Sequence, residues 1–106
     1  MKINIINTAT DNLKTANYIA KYLVKEKLSP CIQIIPNIQS IYLWQHKLKK
    51  SGELLIIIKT IPNNVEQCKK TILKYHNYDI PEIIVTDAEI LHNDYSHWFT
   101  ENTQKI

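Results

Sequence analysis

The chain contains no arginine, so all thirteen of its basic residues are lysines. The guanidinium group of arginine binds phosphate, carboxylate or guanine through two parallel hydrogen bonds, a geometry that lysine cannot reproduce. The net charge of +3 also provides little general attraction for nucleic acid. The composition therefore argues against an arginine-bearing phosphate-binding enzyme and against a nucleic-acid partner.

Glycine, cysteine and long apolar runs are also scarce. The single glycine, Gly52, leaves no glycine-rich loop that could hold a phosphate. Cys31 and Cys68 lie far apart, which fits neither a zinc motif nor a disulfide framework and favours a reducing compartment. The longest apolar run, residues 54–58, is too short to span a membrane, and the first strand has no charged and apolar leader before it. We therefore expect a cytoplasmic protein without a membrane partner.

What remains is a sequence of ordinary globular composition. A chain of 106 residues without a linker or a repeat has room for one domain, which we expect to span residues 1–106. β-branched residues predict a first strand over residues 2–9. Thr10 or Asp11 can cap the helix that follows, and this helix should end near Lys27, shortly before a proline.

The middle of the chain has the pattern of a long hairpin. Residues 31–44 are mostly apolar and extended, with a bulge or bend expected at Pro36 because proline has no N–H to donate. The polar residues 45–52 predict the connection between two strands. Residues 54–58 then form a continuous apolar run, which is typical of a strand buried on both faces.

The last third predicts a helix, a strand and a short helix. The second helix starts at the residues Pro-Asn-Asn, 62–64, and a strand follows over residues 82–86. Asn93 or Asp94 can cap the final helix. The order β-α-β-β-α-β-α is an α+β, ferredoxin-like sandwich with an additional C-terminal helix.

Three segments of the sequence resemble the signature of the CutA family. Residues 31–44 contain a cysteine, an amide residue, a proline and then Ser-x-Tyr-x-Trp. Residues 53–60 begin with glutamate and end in Lys-Thr, and residues 76–83 contain His-x-Tyr-acidic-x-Pro-Glu-Ile. The chain departs from the family pattern at Gln33, where asparagine is usual, and at Asp79, where glutamate is usual. Both replacements keep the chemical type and change the reach of the side chain.

The resemblance implies a non-catalytic homotrimer involved in tolerance of divalent cations. In the family, sheets of three subunits meet edge to edge, and the long hairpin reaches a neighbour. The expected partners are copies of the chain itself and metal ions, with weak binding of Cu(II) or another divalent cation and no organic cofactor. Assembly would also protect apolar strand edges that would otherwise aggregate.

Cys31 and His76 are the two candidate metal ligands. The Cys31 thiol is a soft donor suited to copper, and the resemblance associates this cysteine with metal binding. The alternative is a small buried apolar residue on a strand. His76 could bind a metal with Asp79 or Glu82 nearby, or it could simply cap the end of the second helix.

A second group of residues combines aromatic and charged side chains with strands of strongly apolar character. It is either an inter-subunit cleft for a small ligand or metal, or a polar network that fixes the register of the trimer. The cleft interpretation supports an alternative function, a signalling or scaffold trimer similar to the nitrogen-regulatory PII proteins. The sequence contains no recognisable nucleophile constellation, so we do not expect an enzyme. The members of the group are Gln33, Tyr42, Trp44, Glu53, Lys59, Tyr78, Asp79 and Glu82.

Overall fold

The computed structural model describes residues 1–104, and it confirms the predicted α+β fold. The order of elements is the predicted one, with a single 3₁₀ turn at Pro62–Asn64 added before the second helix. The single-domain prediction covers residues 1–106, of which 105 and 106 lie outside the described residues. The elements are β1 (Lys2–Thr10), α1 (Leu13–Lys25), β2 (Cys31–Trp44), β3 (Lys47–Thr60), α2 (Val65–Tyr75), β4 (Ile84–Glu89) and α3 (Asn93–Glu101).

The four strands form one antiparallel sheet in the order β2-β3-β1-β4. β1 lies in the interior and pairs with both β3 and β4, so that Ile6 is opposite Ile58 on one side and Val85 on the other. β2 and β4 are therefore the two edge strands, and each has one side without a strand partner in residues 1–104.

The core lies between one face of the sheet and helices α1 and α2. The sheet contributes Ile6, Ile56 and Ile58 to this core, and α1 contributes Ile19 and Leu23. Each such side chain contributes about 1.5–3 kcal/mol when it is removed from water. The core is thus sufficient to hold both helices against one side of the sheet.

Cys68 of α2 is fully buried in this core, as its position on the apolar stripe of the helix predicts. Burial raises the pKa of its thiol to about 11. Because the thiolate is the form that attacks and binds metals, Cys68 has a packing role.

The helix caps differ from the predicted ones. Thr10 belongs to β1 and its hydroxyl donates to Asn77 Oδ1, so the cap of α1 is Asn12, whose Oδ1 accepts from the N–H of Thr15 at 3.0 Å. α1 also ends at Lys25, two residues before the predicted end. The cap of α3 is His92, not Asn93 or Asp94, because the helix begins at Asn93, one residue earlier than a cap at Asn93 would give and two earlier than a cap at Asp94.

Replacing Asn12 with alanine should lower the free energy of unfolding by about 1 kcal/mol, because the N–H of Thr15 loses its side-chain acceptor. Urea unfolding at one fixed protein concentration measures this loss. Lys14→Ala is the matched control, since Lys14 is exposed on the first turn of the same helix. Equal stabilities of the two variants would contradict the capping role.

The hairpin connection is much shorter than predicted. The turn consists of Gln45 and His46, which both adopt left-handed backbone conformations with φ of 51° and 66°. Two consecutive left-handed residues match the twist of a two-residue hairpin turn, although asparagine and glycine are the usual residues there. The prediction that residues 45–52 form a connection was therefore wrong, because β3 begins at Lys47.

The hairpin also extends beyond the rest of the sheet. β1 pairs with β3 only between residues 54 and 60, so residues 38–53 form a two-stranded ribbon to which the described part of the chain adds no third strand. The predicted irregularity at Pro36 is confirmed by a register shift between Ile35 and Ile38. The chain is accordingly elongated, with principal extents of 46 × 25 × 21 Å.

The last strand is shifted along the chain from its predicted position. The prediction placed it at residues 82–86, and β4 instead covers Ile84–Glu89. Glu82 thus lies before the strand, in the segment that connects it to α2. This segment forms one wall of the cleft described next.

Candidate functional site

A cleft of about 830 Å³ lies between the projecting ribbon and the segment that follows α2. Six of the eight residues predicted for the aromatic and charged group line it, and Gln33 and Lys59 do not. The full lining consists of Ala9, Ser40, Ile41, Tyr42, Trp44, Lys49, Glu53, Tyr78, Asp79, Ile80 and Glu82.

Tyr78 and Glu53 connect the two walls of the cleft. The Tyr78 hydroxyl donates a hydrogen bond of 2.7 Å to Glu53 Oε2. Burial raises the pKa of Tyr78 well above its usual value of 10, and the hydrogen bond to the carboxylate raises it further. The phenol therefore stays protonated and keeps the Glu53 carboxylate in a fixed position.

His76 is the residue that positions Tyr78. Its Nδ1 accepts the backbone N–H of Tyr78 at 3.0 Å, so Nδ1 carries no proton. In the neutral ring the proton is then on Nε2, which donates to the carbonyl oxygen of Ala9 at 2.9 Å. Both nitrogens are thus engaged with backbone groups, and His76 ties the end of β1 to the opposite wall of the cleft.

Cys31 lies elsewhere in the sheet, together with two other predicted residues. It is opposite Lys59 across the β2–β3 ladder, and Gln33 lies two residues further along the same face. On the other side Cys31 is near Tyr95 of α3, whose pKa is raised by burial and by the neighbouring thiol. This half-buried thiol therefore has a lysine and a tyrosine as its polar neighbours.

The sheet register keeps Cys31 and His76 apart. Cys31 is aligned with Ile5 of β1 through Lys59, whereas the His76 ring contacts Ala9, four residues further along β1. Four residues of a strand span about 13 Å, too far for two ligands of one ion. Within residues 1–104, no three histidine, cysteine or acidic side chains are close enough to hold a metal.

The three carboxylates of the cleft differ in how they are held. Glu53 is half-buried and accepts from Tyr78, whereas Asp79 and Glu82 are exposed and form no ion pair within the described part of the chain. Among the described residues that line the cleft, Lys49 is the one with a basic side chain. Three acidic groups and one lysine give the cleft an excess of negative charge.

Sequence reasoning missed Lys49 because it treated residues 45–52 as a connection. The register places Lys49 opposite Tyr42 on β2, and the Tyr42 hydroxyl lies 2.8 Å from Ser51 Oγ. Alternation along a strand from Glu53 through Ser51 to Lys49 puts all three on one face. This alternation of side chains along the strand was the sequence signal that could have placed Lys49 in the cleft.

The profile of the family described as "CutA1 divalent ion tolerance protein" matches residues 4–102. The chain belongs to this family. A Divalent-cation tolerance protein CutA from Thermus thermophilus is 36% identical over 90 residues, which cover 85% of this chain and 87% of the relative. The resemblance inferred from the three sequence segments is therefore confirmed.

Some other relatives in the CutA1 family are longer than this chain. The mouse Protein CutA is 33% identical over 90% of this chain, and the match spans only 54% of the mouse protein. Among solved structures, a CutA1 from Thermus thermophilus superimposes with a TM-score of 0.89 at 32% identity, covering 98% of this chain and all of that one. A CutA1 from Ehrlichia chaffeensis gives the same TM-score at 30% identity, covering 96% of this chain and 95% of that one.

Across residues 1–104, no helix is long and apolar enough to cross a membrane.

The Tyr78→Phe variant should show a weaker loss of stability at alkaline pH than the unmodified chain. A raised pKa in the folded state stabilises the fold below pH 10, and this contribution is lost as the pH rises through and above 10. Phenylalanine does not ionise, so its variant lacks this part of the dependence. Urea unfolding measured between pH 8 and pH 11 tests the prediction, and identical pH profiles would contradict it.

Proposed function

We propose that this CutA1-family chain is a non-catalytic homotrimer that binds divalent cations weakly and takes part in the response to metal ions. The observation that supports this most directly is the acidic cleft, in which Asp79 and Glu82 have no ion-pair partner within residues 1–104. Carboxylate oxygens are common ligands of divalent cations. Copper is the first cation to test, with other divalent ions compared against it.

The cleft carboxylates are better candidate ligands than His76 in the described conformation. Binding through His76 would require one ring nitrogen to give up its backbone partner at Ala9 or Tyr78. Cys31 is a second, separate candidate that favours Cu(I), because its sulfur is soft. One chain offers too few ligands at either place, so a weak site or one completed by a neighbouring subunit is expected.

The binding experiment compares two sets of variants by isothermal titration with Cu(II) and with Zn(II). The first set removes charge from the cleft through Glu53→Gln, Asp79→Asn and Glu82→Gln. The second combines Cys31→Ala with His76→Ala. Loss of affinity by at least tenfold in the first set would assign the cleft, and loss in the second set with the first set unaffected would assign the predicted pair. Absence of binding to the unmodified chain would refute direct metal binding.

The homotrimer is supported by apolar side chains that a single chain leaves exposed. On the ribbon, Ile41, Leu43 and Leu48 are 64%, 72% and 75% exposed, and the edge strand β4 exposes Ile84 and Val85. A two-stranded ribbon is marginally stable by itself in water, so a neighbouring subunit is the natural support for it. Native mass spectrometry tests the assembly, and a stable monomer at micromolar concentration would refute it.

A second candidate function is a signalling or scaffold trimer that binds a small organic ligand in the cleft. The size of the cleft favours it, since about 830 Å³ is far more than an ion requires and lies within the usual range of ligand pockets. Trp44 is part of the lining and can report binding by its fluorescence. A response of Trp44 to pooled metabolites but not to metal ions would favour this function over the first.

The proposal also places the protein in the cytoplasm. Both cysteines are free, which suits a reducing compartment. Some relatives carry other locations in their names, such as the chloroplastic Protein CutA of Arabidopsis thaliana and a periplasmic protein of Archaeoglobus fulgidus. Cell fractionation of the native protein distinguishes these compartments.

A further inference from the structure

Two aromatic rings on the ribbon, those of Tyr42 and Trp44, face a ligand in the cleft. The two residues are two positions apart on β2, so their side chains share one face of the ribbon, and both line the cleft. They are 43% and 46% exposed, and neither ring contacts another aromatic ring within residues 1–104. The ring of Tyr78, by contrast, packs against His76 with 4.8 Å between the ring centroids. The ribbon therefore supplies the aromatic surface that a ligand can contact.

The ring of Tyr42 is held on the side of the cleft where Glu53 lies. In the β2–β3 register Tyr42 is opposite Lys49, but its hydroxyl lies 2.8 Å from Oγ of Ser51, which is two residues closer to Glu53. This hydrogen bond draws the ring away from the lysine and toward the carboxylate. The carboxylate is itself fixed from the other wall by the hydroxyl of Tyr78. Both walls belong to one chain, so the ring and the carboxylate come together without a neighbouring subunit.

The lysine of the cleft neutralises neither the carboxylates nor the rings. Within residues 1–104, the one ion pair and the one lysine that lies over an aromatic ring both belong to α2, which contributes nothing to the cleft lining. Lys49 is four residues from Glu53 along β3, which is about 13 Å. The cleft thus presents unneutralised negative charge beside uncovered aromatic rings.

The arrangement of these groups allows only weak metal binding but suits a larger organic cation. A metal ion is held by several ligands that converge on one point, and no three histidine, cysteine or acidic side chains of residues 1–104 converge in this way. An organic ammonium ion needs no such convergence, because the field of the carboxylates and the faces of the rings attract it. The cleft of about 830 Å³ has room for it. An anion such as a nucleotide would meet three carboxylates, one lysine and no arginine.

We propose that the cleft binds a small organic cation of the alkylammonium class, with its nitrogen between the ring of Tyr42 and the carboxylate of Glu53. In the second candidate function proposed above, on which this inference depends, the cleft holds a small organic ligand of unspecified charge. Here that ligand is positively charged. Trp44 adds a second ring to the same wall, and the exposed Asp79 and Glu82 add to the negative field.

Choline and an uncharged isostere test the charge of the ligand. The isostere is dimethylbutanol, in which a carbon atom replaces the quaternary nitrogen of choline, so the two probes share shape and apolar surface. Ligand-observed NMR titration of the full chain at constant ionic strength measures both affinities. Choline is expected to bind about tenfold more tightly or better, since only the cation is attracted by the rings and carboxylates.

Two substitutions of Tyr42 separate its ring from its hydroxyl. Tyr42→Leu keeps an apolar side chain but removes the ring, and it should lower the affinity for choline by about two- to thirtyfold. Tyr42→Phe keeps the ring and should lower the affinity less. Native mass spectrometry of both variants checks that their assembly is that of the unmodified chain. Equal losses in the two variants would contradict the contact between the ring and the cation.

Replacing Lys49 tests the sign of the charge by an increase in affinity. Lys49→Gln removes a positive charge from the cleft and should raise the affinity for choline by about two- to fivefold. Lys50→Gln is the matched control, since Lys50 is the next residue of β3, is exposed, and has its side chain on the opposite face of the ribbon. It changes the net charge equally and should leave the affinity nearly unchanged.

The possible failures distinguish this inference from the function on which it depends. Equal affinities for choline and dimethylbutanol, no binding of choline, or a weaker binding of choline by Lys49→Gln would each overturn the ammonium ligand. If pooled metabolites nevertheless changed the fluorescence of Trp44, the small-ligand function would stand without it. If choline did not bind and no metabolite changed that fluorescence, both would be refuted.

Discussion

The Leu43→Lys, Leu48→Lys double variant is expected to be monomeric at concentrations where the unmodified chain forms the proposed homotrimer. The two leucines are a cross-strand pair near the end of the ribbon, and they are 72% and 75% exposed in the single chain. Burial of each would contribute about 1.5–3 kcal/mol, and a lysine in its place would carry an unpaired charge into the contact. Sedimentation velocity at micromolar concentration measures the change.

The control for this variant is Gln39→Lys. Gln39 lies on the same face of the same ribbon, is already polar, and is exposed. The Gln39→Lys variant should leave the trimer unchanged. That result would show that the loss of apolar contact, and not the added charge alone, separates the subunits in the double leucine variant. An undisturbed trimer in the double leucine variant would contradict the role assigned to the ribbon.

Replacing His76 with alanine is expected to disorganise the cleft as well as to destabilise the fold. The N–H of Tyr78 and the carbonyl of Ala9 would each lose a hydrogen-bond partner, at a cost of about 1–3 kcal/mol in total. Tyr78 would then no longer hold Glu53 in a fixed position. Urea unfolding measures the first effect, and metal titration should reveal an affinity at least tenfold lower, the usual effect of losing an orienting residue.

His97→Ala is the matched control for His76→Ala. His97 is exposed on α3, and within the described residues its ring has neither a hydrogen-bond partner nor an aromatic neighbour. It should change neither the stability nor the affinity. If His76→Ala weakened metal binding without any loss of stability, the histidine would be a direct ligand, as its sequence position first suggested.

The fold could be predicted because each element carried its own local signal. The alternating and continuous apolar runs indicated strands, and the proline after Ile35 correctly indicated a bulge. The prediction was wrong for the far half of the hairpin. Apart from Leu48, residues 47–53 are polar, so the segment imitated a connecting loop.

The cleft could be predicted only as a group of residues, not as an arrangement. The ribbon and the segment after α2 form the two walls of the cleft. Four of the predicted residues therefore line the same cleft: Tyr42, Trp44, Glu53 and Tyr78. Lys59 was assigned to the same group, but its register opposite Cys31 places it far along the sheet. Pairing register depends on contacts between distant parts of the chain, which residue type and spacing do not encode directly.

The role of His76 also depends on such distant contacts. Its sequence position after α2 suggested either a ligand or a cap. Its backbone N–H does have the position of a cap, because it donates to the carbonyl oxygen of Ile72 at the end of the helix. The ring, however, binds Ala9, which is 67 residues away in sequence. No local pattern could have indicated that contact.

The ribbon without a third strand has a consequence for how the protein reaches its working form. The body of the sheet is held together by the pairing of β1 with β3 and β4, whereas residues 38–53 have no further strand within residues 1–104 to support them. In the proposed homotrimer their protection comes from other subunits and therefore depends on how many are present. A newly made subunit at low concentration would expose this segment to proteases, so the cellular level of the protein would set its own lifetime.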